Sequence, residues 1–198
     1  VPLPLVDAGS AMKFKNVFVL CTGRCGSTTI VKAMAHARNY TAGHETRAHL
    51  LGEDRLAYPR GHFEADNRLS WFLGRLERTF GPKPFYVHLT RSVEDVVRSH
   101  IARSEYGIMR AYRNNIILKA VKLNPDATLE EFATDYVETV TDNITAFLRD
   151  KPHVMHFRLE EAETHFPLMW ERIGAKGDLD AAMQEWTIRY NASRDQDL

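Results

Sequence analysis

Cysteine is scarce in this chain: 198 residues carry two, Cys21 and Cys25. That is too few for a disulfide framework, and no histidine pair complements them at the spacing of a metal site. Net charge is also missing. The 26 Lys and Arg balance the 26 Asp and Glu, so no global basic field argues for nucleic acid or an anionic membrane as partner. No apolar run approaches the roughly 20 residues of a membrane span, and no basic region followed by an apolar core reads as a secretory leader. A cytoplasmic protein is the expectation. Absent too is the G-x-x-x-x-G-K-[ST] loop of the nucleoside-triphosphate enzymes, with its lysine and its magnesium-binding hydroxyl.

What is present is a different anion-binding loop. Val17 to Leu20 is a short β-prone apolar run, Thr22 to Thr29 (TGRCGSTT) is polar and holds two glycines, and Ile30 to Arg38 is helical in pattern. A strand that feeds a helix through such a loop offers backbone N–H groups and the positive end of the helix dipole to an anion. Gly23 and Gly26 permit a tight turn and close approach, Ser27, Thr28 and Thr29 add hydroxyl donors, and Arg24 adds a fixed charge. Cys25 reads as a small spacer whose N–H faces the anion. Its position beside Arg24 at a helix start predicts some thiolate character, which would matter only if the thiols were redox-active.

A second strand–turn–helix unit follows at Lys83 to Arg103. Phe85 to Thr90 is the strand, Arg91 closes it, and Ser99 falls eight residues later in a helix whose apolar side carries Val93, Val96, Val97 and Ile101. The two units together resemble the sulfotransferase family. The first resembles its 5′-phosphosulfate loop: a basic residue, a small residue, Gly, then hydroxyl residues. Arg91 and Ser99 match the strand-end arginine and helix serine that hold the cofactor's 3′-phosphate in that family. Arg98 is a further cation beside them. The resemblance runs from Lys15 to about Ser193, with a late strand near His153 and a Tyr190–Ser193 element similar to the family's C-terminal closing segment.

The resemblance implies the function. The enzyme would move the sulfuryl group of 3′-phosphoadenosine 5′-phosphosulfate to a hydroxyl or amine and release 3′-phosphoadenosine 5′-phosphate, with no metal required. Gly23, Arg24, Cys25, Gly26, Ser27, Thr28, Thr29, Arg91 and Ser99 would bind the cofactor, and Arg24 would stabilise the leaving phosphate. Gly43-His44-Glu45-Thr46-Arg47 is similar to the Gly-x-Glu-Thr-Arg segment of the tyrosylprotein sulfotransferases, which makes Glu45 the candidate general base and Arg47 a substrate-side cation. His44, His62 and Glu64 are rivals, the last two on a loop expected to line the acceptor cleft. A carbohydrate or small-molecule acceptor is expected, with Trp71, Tyr106 and Tyr112 as stacking surfaces and Arg103, Arg110 and Arg113 as cations for an anionic acceptor, or as ordinary packing and surface residues. A P-loop kinase using ATP and a non-catalytic nucleotide-binding protein are the alternatives.

The expected fold class is α/β: a P-loop-type three-layer sandwich with a mainly parallel central sheet flanked by helices. Residues 13–198 are expected to form one domain, and 1–12 read as a tag or disordered N-terminus in which Gly9-Ser10-Ala11-Met12 is an added remnant and Met12 the natural start. Beyond the two units above, Tyr40–Gly43 is expected as a short strand, Thr46–Leu56 as a helix, Leu56–Asp66 as an exposed loop and Asn67–Phe80 as one amphipathic helix. Helices are expected within Tyr106–Val121. A long helix runs from Thr128 to Asp150, opened by a capping box with Glu131. A last strand, His153–Leu159, precedes helices at Glu161–Ile173 and Leu179–Tyr190.

Overall fold

The structure, a computed structural model, describes residues 12–118, 120–188 and 190. The tag or disordered N-terminus expected over 1–12 and the end of the Tyr190–Ser193 element therefore lie almost wholly outside the described residues.

Among the described residues five strands form one sheet: β1 (Asn16–Leu20), β2 (Thr41–His44), β3 (His62–Ala65), β4 (Phe85–Thr90) and β5 (Val154–Arg158). Their order is β2-β3-β1-β4-β5, and every pairing is parallel. The fold is the expected α/β sandwich. β1 sits at the centre and is buried along its whole length, as a strand covered on both faces must be. The period-2 alternation sorts its neighbours. Phe18 packs its ring against Tyr58, Phe80 and Tyr86, and Tyr86 meets Phe147 of the long helix on the same face. One residue earlier in β4, Phe85 faces the other way, against Phe14 and the guanidinium of Arg172.

Among the described residues there are eight α-helices: α1 (Ser27–Met34), α2 (Leu73–Phe80), α3 (Val93–Ile101), α4 (Gly107–Ala111), α5 (Ala120–Leu123), α6 (Leu129–Leu148), α7 (Ala162–Ile173) and α8 (Leu179–Gln184). The capping box predicted for α6 is present: Thr128 Oγ1 accepts from the Glu131 N–H at 3.1 Å, and the Glu131 carboxylate accepts from the Thr128 N–H at 2.7 Å. Its buried stripe is Ala133, Tyr136, Val137, Val140, Ile144 and Leu148.

Three expectations fail, each for a local reason. Thr46–Leu56 is not an α-helix; only Gly52–Leu56 is helical, as a 3₁₀ segment. The Glu64 carboxylate takes up the Thr46 N–H at 2.7 Å, and Arg47 Nη1 donates to the Asp54 carbonyl at 2.8 Å, so the segment is tied into turns. Leu56–Asp66 is not an exposed loop: it contains β3, all four residues of which are buried. Pro59 and Gly61 punctuate the approach to that strand rather than a loop. Asn67–Phe80 is broken at Phe72 (φ −121°, ψ 19°) into a 3₁₀ helix over Asn67–Trp71 and α2. Between Tyr106 and Val121, α4 and α5 are separated by a π-helical turn, Tyr112–Ile116.

Candidate active site

The chain leaves β1 towards β3 and β2 on one side and later crosses to β4 on the other. The connections after β1 and β4 therefore run to opposite sides of the sheet, a switch point at whose carboxyl end open α/β sheets place a ligand-binding crevice. All five strand ends deliver polar residues there: Thr22–Gly26 after β1, Glu45 after β2, Asp66–Arg68 after β3, Arg91 after β4 and Glu160 after β5.

The β1 loop is tightly curled. Gly23 (φ 81°), Arg24 (φ 61°) and Gly26 (φ 90°) all take the left-handed region, which curls successive N–H groups around a concavity. A non-glycine residue held there costs on the order of 1 kcal/mol, so the surroundings must impose it on Arg24. They do. Tyr136 Oη donates to the Thr22 carbonyl at 2.8 Å, Ser70 Oγ to the Cys21 carbonyl at 3.3 Å, and Cys25 Sγ to the Gly23 carbonyl at 3.1 Å. A Cβ on Gly26 would stand 2.7 Å from Leu159 Cδ1, and the φ of 90° itself favours glycine there. Helix α1 then starts with no side-chain cap and no acidic residue in its first turn. The positive end of its dipole therefore meets no acidic side chain in the first turn and favours an anion.

The expected thiolate character of Cys25 is not found. The thiol is buried, and burial pushes its pKa up to about 11; burial raises the Cys21 thiol as well. Both behave as small packing residues.

The two sequence units meet. Arg24 Nε donates to Ser99 Oγ at 2.8 Å across 75 residues, and Arg91 Nη1 lies 3.5 Å from the Arg24 carbonyl oxygen. Burial, then the charges of Arg103 and Arg91, pull the Arg24 pKa down, although a guanidinium stays protonated. Cations gathered at mutual cost are what a multiply charged anion would relieve. Arg91 also holds Asp95 at 3.1 Å, and Arg98, largely exposed, shares that carboxylate at 3.0 Å, so Arg98 faces solvent more than the crevice.

On the β2 side, Gly43-His44-Glu45-Thr46 has a physical explanation. The fully buried Glu64 carboxylate accepts from the Thr46 N–H and Oγ1 and pairs with His62 Nε2, each at 2.7 Å. His62 Nδ1 in turn lies 2.8 Å from Thr41 Oγ1. A Cβ at residue 43 would run into Thr46 Cγ2 and stand 2.8 Å from Glu64 Oε2, so Gly43 is what lets the clamp close. The clamp turns the chain at Glu45 into the left-handed region (φ 53°) and sends its side chain to Arg68, with Glu45 Oε2 2.5 Å from Arg68 Nη1. About a third of each side chain is exposed, so this pair contributes only about 0–1 kcal/mol.

His62 and Glu64 therefore do not line an acceptor cleft, contrary to the sequence reading: they are an internal strut. Arg47, expected as a substrate-side cation, is engaged with the Asp54 carbonyl and lies over the Tyr58 ring. Of the rival bases, His44 reaches the β1 unit, with Nε2 3.0 Å from Ser27 Oγ, whereas Glu45 turns to Arg68. Tyr112 is buried, with its hydroxyl 2.5 Å from Asp135, and Arg113 is buried against Glu105; both are packing residues.

Sequence reasoning missed the 3₁₀ helix Asn67–Trp71, which meets both the β1 loop and the turn after β2. The Asn67 amide packs over Gly23, whose added Cβ would come within 3.0 Å of it. Arg68 holds Glu45, Ser70 ties down the end of β1, and Trp71 leans on Tyr112 at 6.4 Å. It rests on a buried ion pair, Arg55 Nη2 to Asp66 Oδ2 at 2.5 Å, whose other carboxylate oxygen caps the Arg68 N–H at 2.8 Å. The only hint in the sequence is an Asp followed two residues later by an Arg.

Among the described residues no helix is long and apolar enough to cross a membrane, and no group of three or more His, Cys, Asp or Glu is placed to hold a metal ion.

By sequence the chain matches no family model and no curated protein. Among solved structures it is similar to a sulfotransferase domain from the curacin biosynthetic pathway, with a TM-score of 0.63 and 13% identity over 89% of this chain and 79% of that one. It is also similar to a sulfotransferase from Alicyclobacillus acidocaldarius, with a TM-score of 0.52 and 11% identity over 85% of each chain. At these identities the likeness is one of fold: this chain has the α/β fold of those two sulfotransferase structures.

Proposed function

We propose that the protein is a sulfotransferase that takes 3′-phosphoadenosine 5′-phosphosulfate as donor and a hydroxyl of a carbohydrate or other small molecule as acceptor. The observation that carries this reading is the meeting of Arg24 with Ser99, with Arg91 alongside, over an uncapped helix start at the switch point of the sheet. The residues present fit such a donor. The concave run of amides from Gly23 to Gly26 and the first turn of α1, with Ser27, Thr28 and Thr29, match its 5′-phosphosulfate end. Arg91 and Ser99 match its 3′-phosphate. The donor, when bound, supplies an activated sulfuryl group on a phosphate leaving group.

The chain's own residues then have defined tasks. The loop amides and hydroxyls hold oxygens in line for transfer, which is mainly positioning. Arg24, fixed in charge, lowers the cost of negative charge as it develops on the leaving phosphate. Glu45 accepts the acceptor hydroxyl's proton as the bond to sulfur forms. Arg68 holds that carboxylate by one oxygen and leaves the other available. His44, bound to Ser27 Oγ, belongs to the donor side of the crevice.

The test is transfer of labelled sulfate from the donor to a panel of hydroxylated acceptors, with nucleotide binding measured in parallel. Transfer that stops in the Glu45→Gln variant supports the reading. Nucleotide binding without transfer to any acceptor favours a binding protein, and magnesium-dependent turnover of ATP favours a kinase.

A further inference from the structure

Arg68 is tied down at its backbone and open at its head. Its N–H is fixed by Asp66 Oδ1, and Asp66 is itself buried and held by Arg55. Of its guanidinium nitrogens, Nη1 meets Glu45 Oε2 at 2.5 Å and the Asn67 side-chain oxygen at a marginal 3.5 Å. Among the described residues no hydrogen bond uses Arg68 Nε or Nη2, and the side chain is 38% exposed. The Nε/Nη2 edge of a guanidinium is a planar pair of parallel donors, matched to a carboxylate that accepts both.

Trp71 lies three residues further along the same 3₁₀ helix. With three residues per turn, positions 68 and 71 share a face, about 6 Å apart along the axis. The Trp71 ring is partly exposed and is backed by the buried Tyr112, which fixes one side of it. A held guanidinium, an aromatic surface and the Glu45 carboxylate thus lie together at the acceptor side of the crevice.

We propose that Arg68 and Trp71 form the acceptor subsite and that it takes a hydroxylated ring bearing a carboxylate. Arg68 bridges Glu45 through Nη1 and the acceptor's carboxylate through its Nε/Nη2 edge, while the ring lies on Trp71. The bridge sets the distance between the acceptor's carboxylate and Glu45 and so selects the hydroxyl presented to it. The assignment of Glu45 and of the donor rests on the function proposed above. The match of guanidinium edge and aromatic face to a carboxylated ring does not.

The ring could be a sugar acid or a hydroxyaryl acid, and the test separates them. Saturation-transfer NMR and competition titrations on the whole protein compare glucuronate with glucose, and 4-hydroxyphenylacetate with 4-methylphenol, each with and without 3′-phosphoadenosine 5′-phosphate. At least one carboxylate probe is expected to bind about tenfold or more tightly than its neutral partner. Arg68→Ala is expected to reduce that ratio to within about threefold, Arg68→Lys to keep part of it, and Trp71→Ala to weaken both members of the pair. Melting curves for each variant report whether the fold is intact. Equal binding of carboxylate and neutral probes, no binding of either carboxylate, or an advantage that survives Arg68→Ala in a folded protein overturns the proposal. Because the probes are also measured without nucleotide, failure to bind the nucleotide counts against the proposed function and leaves the result on the subsite standing.

Discussion

Arg24 Nε donates to Ser99 Oγ at 2.8 Å, joining the loop after β1 to the helix after β4. Two segments that each read as a modest anion site form one continuous cationic wall with Arg91 and Arg103. Under the proposed function the nucleotide's two phosphate-bearing ends fall at opposite ends of this wall.

Arg91→Ala should therefore weaken 3′-phosphoadenosine 5′-phosphate by about 10- to 100-fold, the worth of one or two charge-assisted hydrogen bonds, while barely changing the binding of AMP. Calorimetric titration of both nucleotides against both proteins checks this. Equal losses for the two nucleotides would remove Arg91 from the 3′-phosphate.

Glu45→Gln keeps the shape of the side chain and removes its basicity. The turnover number should fall by about 10²- to 10⁴-fold, with nucleotide affinity unchanged. Single-turnover transfer of labelled sulfate, once an acceptor is in hand, measures it. Unchanged turnover would point to His44, the rival base that the structure sets on Ser27.

Gly43→Ala should disturb stability and catalysis together. The added methyl must displace Thr46 Cγ2 or the Glu64 carboxylate, a clash worth about 1–3 kcal/mol, and should lower the melting temperature by several degrees. Because the same clamp turns Glu45 into its left-handed conformation, turnover should drop more than nucleotide binding does. Wild-type stability and kinetics in this variant would show that the clamp is dispensable.

Much of this was legible in advance. Both strand–loop–helix units, the capped α6 and the α/β class follow from patterns that local forces enforce: apolar strands, a glycine loop, and Thr128 three residues before Glu131. β3 was hidden because half of its four residues are His62 and Glu64, polar types whose burial is offset by their own pairing and by partners distant in sequence, Thr41 and Thr46. The Asn67–Trp71 turn was hidden because Leu69, Phe72, Leu73, Leu76 and Phe80 keep helical spacing across the break at Phe72. Arg68 looked like one arginine among many, since its meaning depends on Asp66 being held by the buried Arg55.

Two buried histidines make the fold acid-sensitive. Burial, helped by His156 for His88 and by Arg24 for His100, lowers both pKa values from 6.5 to about 4. His100 Nε2 is buried without a hydrogen-bond partner among the described residues. Each ring is thus neutral when folded and takes up a proton more readily when unfolded. Stability should be fully present above pH 6.5 and fall as the pH drops from 6.5 towards 4, by on the order of 3 kcal/mol for each histidine. Urea midpoints between pH 7 and pH 4 measure the slope, and His88→Leu or His100→Phe should each flatten it. A midpoint that stays constant across that window would contradict the assignment.

The most direct measurement is a calorimetric titration of the wild-type protein with 3′-phosphoadenosine 5′-phosphate, with ATP and AMP as controls and with and without magnesium. The account predicts tight binding that depends on the 3′-phosphate and is indifferent to magnesium. Preference for ATP with magnesium, or no binding of the bisphosphate, would contradict it.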